Sequence, residues 1–124
     1  SEQPLFVPEA MYETDSAVSQ YCEFHYGQTY FQVPNFPARC AAVCGRYTRE
    51  RPRRKALDLG CAVGRATFEL AREFDSVTGI DFSARFIRVA LQLKEKGVAQ
   101  VANFANPKNT VPHMRFITTG FGAK

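Results

Sequence analysis

Apolar positions recur along this chain with a helical period at first, then contract into short unbroken runs, and the change marks its elements. Val18, Tyr21, Cys22 and His25 stand at i, i+3, i+4 and i+7, one face of a helix. Thr14 or Asp15 is placed to cap that helix, and Gly27 to stop it after Tyr26. The segment Tyr30 to Pro37 (YFQVPNFP) holds two prolines three residues apart, which excludes a helix interior or a central strand. Its aromatic side chains are expected to seal the edge of the core. A second helix opens at Pro37 and runs to about Tyr47, with Cys40, Val43, Cys44 and Tyr47 on one face. Ala56–Leu59 and Val77–Ile80 are short apolar runs that read as strands buried on both faces. Between them Thr67, Leu70, Ala71 and Phe74 restore the helical spacing. Ser83 then caps a helix to about Lys96, with Phe86, Val89, Ala90 and Leu93 inward and Gly97 at its end. A third strand is expected around Met114 to Ile117. Residues 1–11 carry no period and read as a flexible arm before a domain over 12–124.

From Lys55 to Asp81 the order is strand, glycine turn, helix, strand. Two parallel strands joined by a right-handed helical crossover form the nucleotide-binding half-unit of an open α/β sheet. The glycine spacing narrows the ligand. A dinucleotide fingerprint needs glycine at i, i+2 and i+5, and counting from Gly60 those places hold Gly60, Ala62 and Arg65. Asp58, Gly60, Ala62 and Gly64 instead follow an acidic-x-Gly-x-small-x-Gly pattern. A carboxylate at the mouth of the loop repels a pyrophosphate and suits a cation. Asp81 lies 23 residues beyond Asp58 at the tip of the next strand, where a carboxylate can accept both hydroxyls of a ribose. Cys61, inside the loop, reads as a small residue that allows close approach rather than as a reactive thiol.

Composition adds less. The 124 residues allow one domain, and 45% hydrophobic residues with eleven Phe supply a modest core. No apolar run approaches membrane-spanning length and no leader is visible, so the cytoplasm is the default location and four cysteines read as reduced thiols. Net charge is +4, unevenly spread: residues 1–36 hold five acids and no Lys or Arg, the rest sixteen basic side chains against seven acids. RERPRRK, residues 49–55, can hold phosphate, yet a solvated linker before the first strand is the plainer account. No aromatic-basic stacking pattern accompanies the charge, which argues against a nucleic-acid partner. Cys22, His25, Cys40 and Cys44 have the number of ligands of a zinc site but sit on apolar stripes, so no metal is expected.

The run Asp58 to Gly64 with Asp81 resembles motif I and the second-strand acid of class I S-adenosylmethionine-dependent methyltransferases. Tyr12-Glu13-Thr14-Asp15, Phe24-His25-Tyr26-Gly27, ALDLGCAVGR, FELAREFD and GIDFSARFI extend the similarity to the C-terminal methyltransferase domain of ovothiol synthase, over roughly Tyr12 to Gly97. The resemblance implies a Rossmann-like α/β fold, here the N-terminal half of the class I sheet, with about three parallel strands and helices on both faces. It implies S-adenosylmethionine as cofactor and N-methylation of an imidazole nitrogen of thiohistidine, a small-molecule substrate. Asp58, Gly60 and Gly64 would hold the methionyl part, with Cys61 and Ala62 of the same loop also lining the cofactor, Asp81 would hold the ribose, and Phe82 would flank the adenine. Tyr12, Tyr21, His25 and Tyr26 would close the substrate pocket; no catalytic acid or base is implied.

The chain departs from the pattern after its third strand. A complete class I sheet has seven strands, and nothing after Glu95 is acidic, so the polar residue expected near adenine has no counterpart and Gly120-Phe121 stands there. A fragment with an open sheet edge is therefore expected, which either pairs through that edge with a second copy or a full-length homologue or is only partly stable, and whose activity alone the resemblance leaves open. Two other readings stay open: a catalytically dead interaction module, and a basic nucleic-acid binder.

Overall fold

Three parallel strands, β1 (Lys55–Leu59), β2 (Ser76–Asp81) and β3 (Met114–Thr118), lie side by side in the order β1-β2-β3. The computed structural model describes residues 13–27, 31–96 and 113–120. Helix α1 is Asp15–Tyr26 and α2 is Phe36–Tyr47; α3 (Arg65–Leu70) joins β1 to β2, and α4 (Ala84–Lys96) follows β2. This is the expected Rossmann-like α/β fold, and each predicted element is present. The expected arm, Tyr12, Tyr30 and the stop at Gly97 lie outside the described residues.

Register decides which side chains meet. Leu57 stands beside Thr78, and Val77 beside Met114. Side chains alternate across a sheet, so Val77, Gly79, Asp81, Met114 and Phe116 share a face and are buried. Leu57 (57% exposed), Leu59 (72%) and Ile117 (37%) share the other. Consecutive crossovers that step the same way along a sheet put their helices on one face when both have the usual right hand. Accordingly Gly64, at the start of α3, stands against both Phe116 of β3 and Ala90 of α4, and the described helices cover one face only, which corrects the expectation of helices on both faces. The expectation that β1 is buried on both faces is therefore corrected. It is the edge strand, paired on one side with β2, and neither face of it is buried among the described residues.

Three further expectations change. The inner face of α2 is Pro37, Ala41 and Gly45, while Cys40, Cys44 and Tyr47 are exposed. Small residues won over larger apolar ones because α2 packs closely across α3 and the turn after it: a Cβ on Gly45 would overlap the Glu73 carboxylate. Phe31 and Phe36 do not seal the core; they are 96% and 63% exposed. α3 is also shorter than its apolar spacing implied, since Arg72 and Glu73 donate to the carbonyls three residues back and tighten the last turn. Its most buried side chains are Phe68 and Thr67, both fully buried, with Phe68 packed on Phe116 at 5.6 Å between ring centroids. α4 follows its expected face, with Phe86, Ala90 and Leu93 buried, and Ser83 Oγ accepts from the Phe86 N–H at 3.2 Å.

Candidate functional site

The loop after β1 is pinned at both ends by β2. The Ile80 carbonyl accepts from the N–H groups of both Gly60 (2.7 Å) and Cys61 (3.0 Å), so the chain turns sharply where the strand ends. Gly60, Ala62 and Gly64 take φ of +70°, +50° and +95°. Such angles suit glycine and strain alanine. The Ala62 N–H in return donates to Asp81 Oδ1 at 3.2 Å, and the Ser83 N–H donates to Asp81 Oδ2 at 2.9 Å. Asp81 is thus buried and fixed in orientation at the tip of β2. Asp58 Oδ2 accepts the Thr67 hydroxyl at 2.7 Å. Asp58 and Asp81 flank the same loop, and the loop is not helical.

The electrostatics of the pair are unbalanced. Burial raises the Asp58 pKa, the bond from Thr67 opposes the rise, and the neighbouring Asp81 adds to it. The ion pairs among the described residues join Arg53 to Glu73, Arg65 and Arg72 to Glu69, and Arg85 to Asp15. Neither loop carboxylate has a cationic partner among them. Cys61 is buried, and burial together with both carboxylates pushes its thiol pKa far above the ordinary range, so it is no nucleophile. A Cβ on Gly60 would meet nothing within 4 Å, so that side of the loop faces open space. Gly64 and Gly79 differ: a Cβ on Gly64 would meet Phe116 at 3.0 Å, and one on Gly79 would meet Thr67 Oγ1 at 2.8 Å and Cys61 Sγ at 3.0 Å. Two glycines serve close packing, while Gly60 leaves the loop open to a ligand.

Helix α1 is bolted over this loop. Tyr26, nearly fully buried, donates its hydroxyl to the Val63 carbonyl at 2.7 Å, and burial raises its pKa so that it stays a phenol. His25 Nδ1 accepts the Arg65 N–H at 3.3 Å, and Arg65 reaches back to the His25 carbonyl at 3.1 Å. α3 has no side-chain cap of its own at Gly64, so the imidazole takes that place. Burial, then the Arg65 charge, lowers the His25 pKa to about 4, which keeps the ring neutral and its Nδ1 lone pair available. Tyr21 packs on Phe86 at 4.8 Å. Tyr21, His25 and Tyr26 therefore lie on the helix that covers the loop, with His25 and Tyr26 directed into it; Tyr12 lies outside the described residues. Phe82 follows Asp81, is half-buried, and its carbonyl accepts from the Thr118 hydroxyl at 3.3 Å.

Four residues of this arrangement escaped the sequence reading as site residues. Thr67 was legible only as one place on a helical face. Gly79 carried a signal, a glycine inside a strand, which marks close backbone approach. Glu13 accepts from the Ser83 hydroxyl at 2.8 Å, and Arg85 bonds its carbonyl at 2.6 Å. Phe116 sits beyond the stretch of family wording, and nothing local singles it out.

The described strands and helices form a Rossmann-like α/β unit with a carboxylate near the tip of each of two neighbouring strands, and the comparisons agree with the fold. Residues 51–107 match a family described as a methyltransferase domain, a stretch that contains β1, the loop, α3, β2 and α4. No curated protein matches the chain in sequence. Among solved structures it is similar to the magnesium protoporphyrin IX methyltransferase of Synechocystis PCC 6803 with bound SAH, with 18% identity and a TM-score of 0.63 over 90% of this chain and 49% of that one. It is similar to the [4+2]-cyclase SpnF, with 15% identity and a TM-score of 0.60 over 90% of this chain and 40% of that one. A third similar structure is coclaurine N-methyltransferase bound to N-methylheliamine and SAH, with 11% identity and a TM-score of 0.53 over 81% of this chain and 30% of that one. The chain thus spans half the length of these proteins or less, and the likeness is one of fold.

Proposed function

We propose that this chain is the donor-binding part of an S-adenosylmethionine-dependent methyltransferase. One observation supports this above the rest: two carboxylates without a cationic partner among the described residues flank a loop whose Gly60 side is open. The residues fit the group. S-adenosylmethionine, when bound, supplies a methyl group on a sulfonium, together with an ammonium and a ribose. Asp58 with the loop from Gly60 through Cys61 and Ala62 to Gly64 receives the charged methionyl part. Asp81, already oriented by two backbone N–H groups, has lone pairs left for ribose hydroxyls. Phe82 lies where a base can rest against it.

The acceptor follows from the resemblance to the ovothiol synthase domain: an imidazole nitrogen of thiohistidine. A neutral imidazole attacking a sulfonium methyl needs little acid–base help, so orientation and exclusion of water supply most of the rate. In this reading α1 is the wall over the site. His25 and Tyr26 hold that wall to the loop, and Tyr21, at its half-buried margin, meets the substrate together with Tyr12. The experiment is incubation with S-adenosylmethionine and thiohistidine or histidine, read by mass spectrometry. Methylated thiohistidine with histidine untouched is the expected result; methylation of neither, by a chain that binds the donor, would remove the acceptor and leave the donor site.

A second reading has an observation of its own. The edge of β1, free among the described residues, and the exposed Leu57 and Leu59 suit an interaction module that pairs with a second copy or a longer homologue. Failure to bind S-adenosylmethionine together with stable association would favour it.

A further inference from the structure

The opposite end of the sheet carries a feature the donor site does not use. Arg53 and Arg54 precede β1, and their carbonyls accept from the N–H groups of Asp75 and Ser76 at the start of β2. This end lies across the length of β1 from the glycine loop, roughly 16 Å for five residues. A cavity of about 480 Å³ opens there between α2 and the turn after α3, lined by Arg39, Arg46, Arg49, Arg53, Gly45 and Glu73. Four guanidinium groups face one carboxylate. Glu73 engages Arg53 at 3.6 Å, and Arg53 also bonds the Gly45 carbonyl at 2.5 Å. Arg53 Nε is buried with no hydrogen-bond partner among the described residues. Arg39, Arg46 and Arg49 are exposed and make no ion pair among the described residues.

The surroundings extend the charge beyond the cavity. Arg51, Arg54 and Lys55 continue it along the surface, with Glu50 the one acid between residues 39 and 55. Of the acids in the N-terminal segment, Asp15 pairs with Arg85 and the Glu13 carboxylate accepts from the Ser83 hydroxyl, both at the other end of the sheet. Tyr47, between Arg46 and Arg49 in sequence, is 81% exposed. The sequence alone placed that ring on an inner helical face, which hid the pairing of an aromatic plane with guanidinium groups. A positively charged concavity, a basic track longer than one small anion, and a solvent-facing ring are the parts of a single-stranded nucleic-acid surface.

We propose that this face binds single-stranded RNA, with phosphates seated on Arg39, Arg46, Arg49 and Arg53 and a base stacked on Tyr47. The order of charge and ring along α2 favours a strand over a small phosphorylated compound, which needs the cavity alone. The site is independent of the donor loop, so either proposal can fail without the other.

The test is fluorescence anisotropy with a labelled mixed-sequence RNA twelve nucleotides long, titrated with the intact chain at several salt concentrations. Arg46→Gln with Arg49→Gln should weaken binding at least tenfold and flatten the logarithmic salt dependence by about 1.4, two contacts at about 0.7 each. Tyr47→Ala should weaken it about fivefold or more, and Arg88→Gln, on the exposed side of α4, should leave it unchanged. The three arginines and the tyrosine are exposed, so the variants keep the fold, which circular dichroism verifies. Absence of binding at low salt would overturn the proposal, as would equal losses from Arg88→Gln and Arg46→Gln. Tripolyphosphate displacing the RNA while Tyr47→Ala has no effect would also overturn it, and would make the cavity a small-anion site.

Discussion

His25 is the residue on which the joint between α1 and the loop turns. Its Nδ1 must be unprotonated to accept the Arg65 N–H. Unfolded, the ring takes up a proton near pH 6.5, folded only near pH 4. The unfolded state therefore binds more protons between those values, and stability falls as pH drops from 6.5 towards 4, by roughly 3 kcal/mol once His25 is fully protonated. Asp58 acts in the opposite sense, since its raised pKa makes acid favour the folded state. His25→Asn keeps an acceptor near the Nδ1 position without a titration, so urea unfolding across this pH range should give a flatter profile than the unaltered chain. An unchanged profile would show that another group carries the acid sensitivity. The family wording around His25 made the residue visible in the sequence, but not its task, because its partner lies forty positions away.

At the scale of elements, the strand–loop–helix–strand unit was the most legible part of the chain. The period changes and glycine spacing that announce it are local. Legibility failed where packing chose between alternatives that the pattern leaves equal. α2 turns Ala41 and Gly45 inward and leaves Cys40, Cys44 and Tyr47 out, because a close helix contact favours small side chains over large ones. β1 reads as fully buried because parallel strands usually are, yet its burial depends on neighbours no local pattern can report. Gly79 links the two strands to the site. An added methyl would press on Thr67, which is fully buried and holds Asp58. Overpacking of this kind costs about 1–3 kcal/mol. Gly79→Ala should therefore lower the urea midpoint accordingly; full stability would mean that Thr67 and Cys61 have room to move.

For the whole molecule, the sheet has one face covered and one bare among the described residues. Leu57 and Leu59 combine exposed apolar surface with a strand edge left unpaired among the described residues, the arrangement most prone to pair with another strand. Light scattering after size exclusion should show mass rising with concentration. Leu57→Lys with Leu59→Lys should return it towards the monomer without changing the helical signal. A monomer at every concentration would argue against edge pairing. The charge of the molecule is segregated as well: acids gather at the loop and at the start of α1, and arginines at the amino ends of the strands. That division was visible in sequence as an uneven balance, but only the fold assigns each sign to an end of the sheet.

The account holds that the loop keeps two carboxylates close, at some cost to the free chain, because a cationic adenosyl ligand relieves their repulsion. Asp58→Asn isolates that claim, since it keeps an oxygen for the Thr67 hydroxyl and removes one charge. Calorimetric titration with S-adenosylmethionine, paired with thermal unfolding, should find the variant more stable than the original chain when empty and at least tenfold weaker in binding. A variant that binds the donor as tightly as the original, or an original chain that does not bind it at all, would contradict the account.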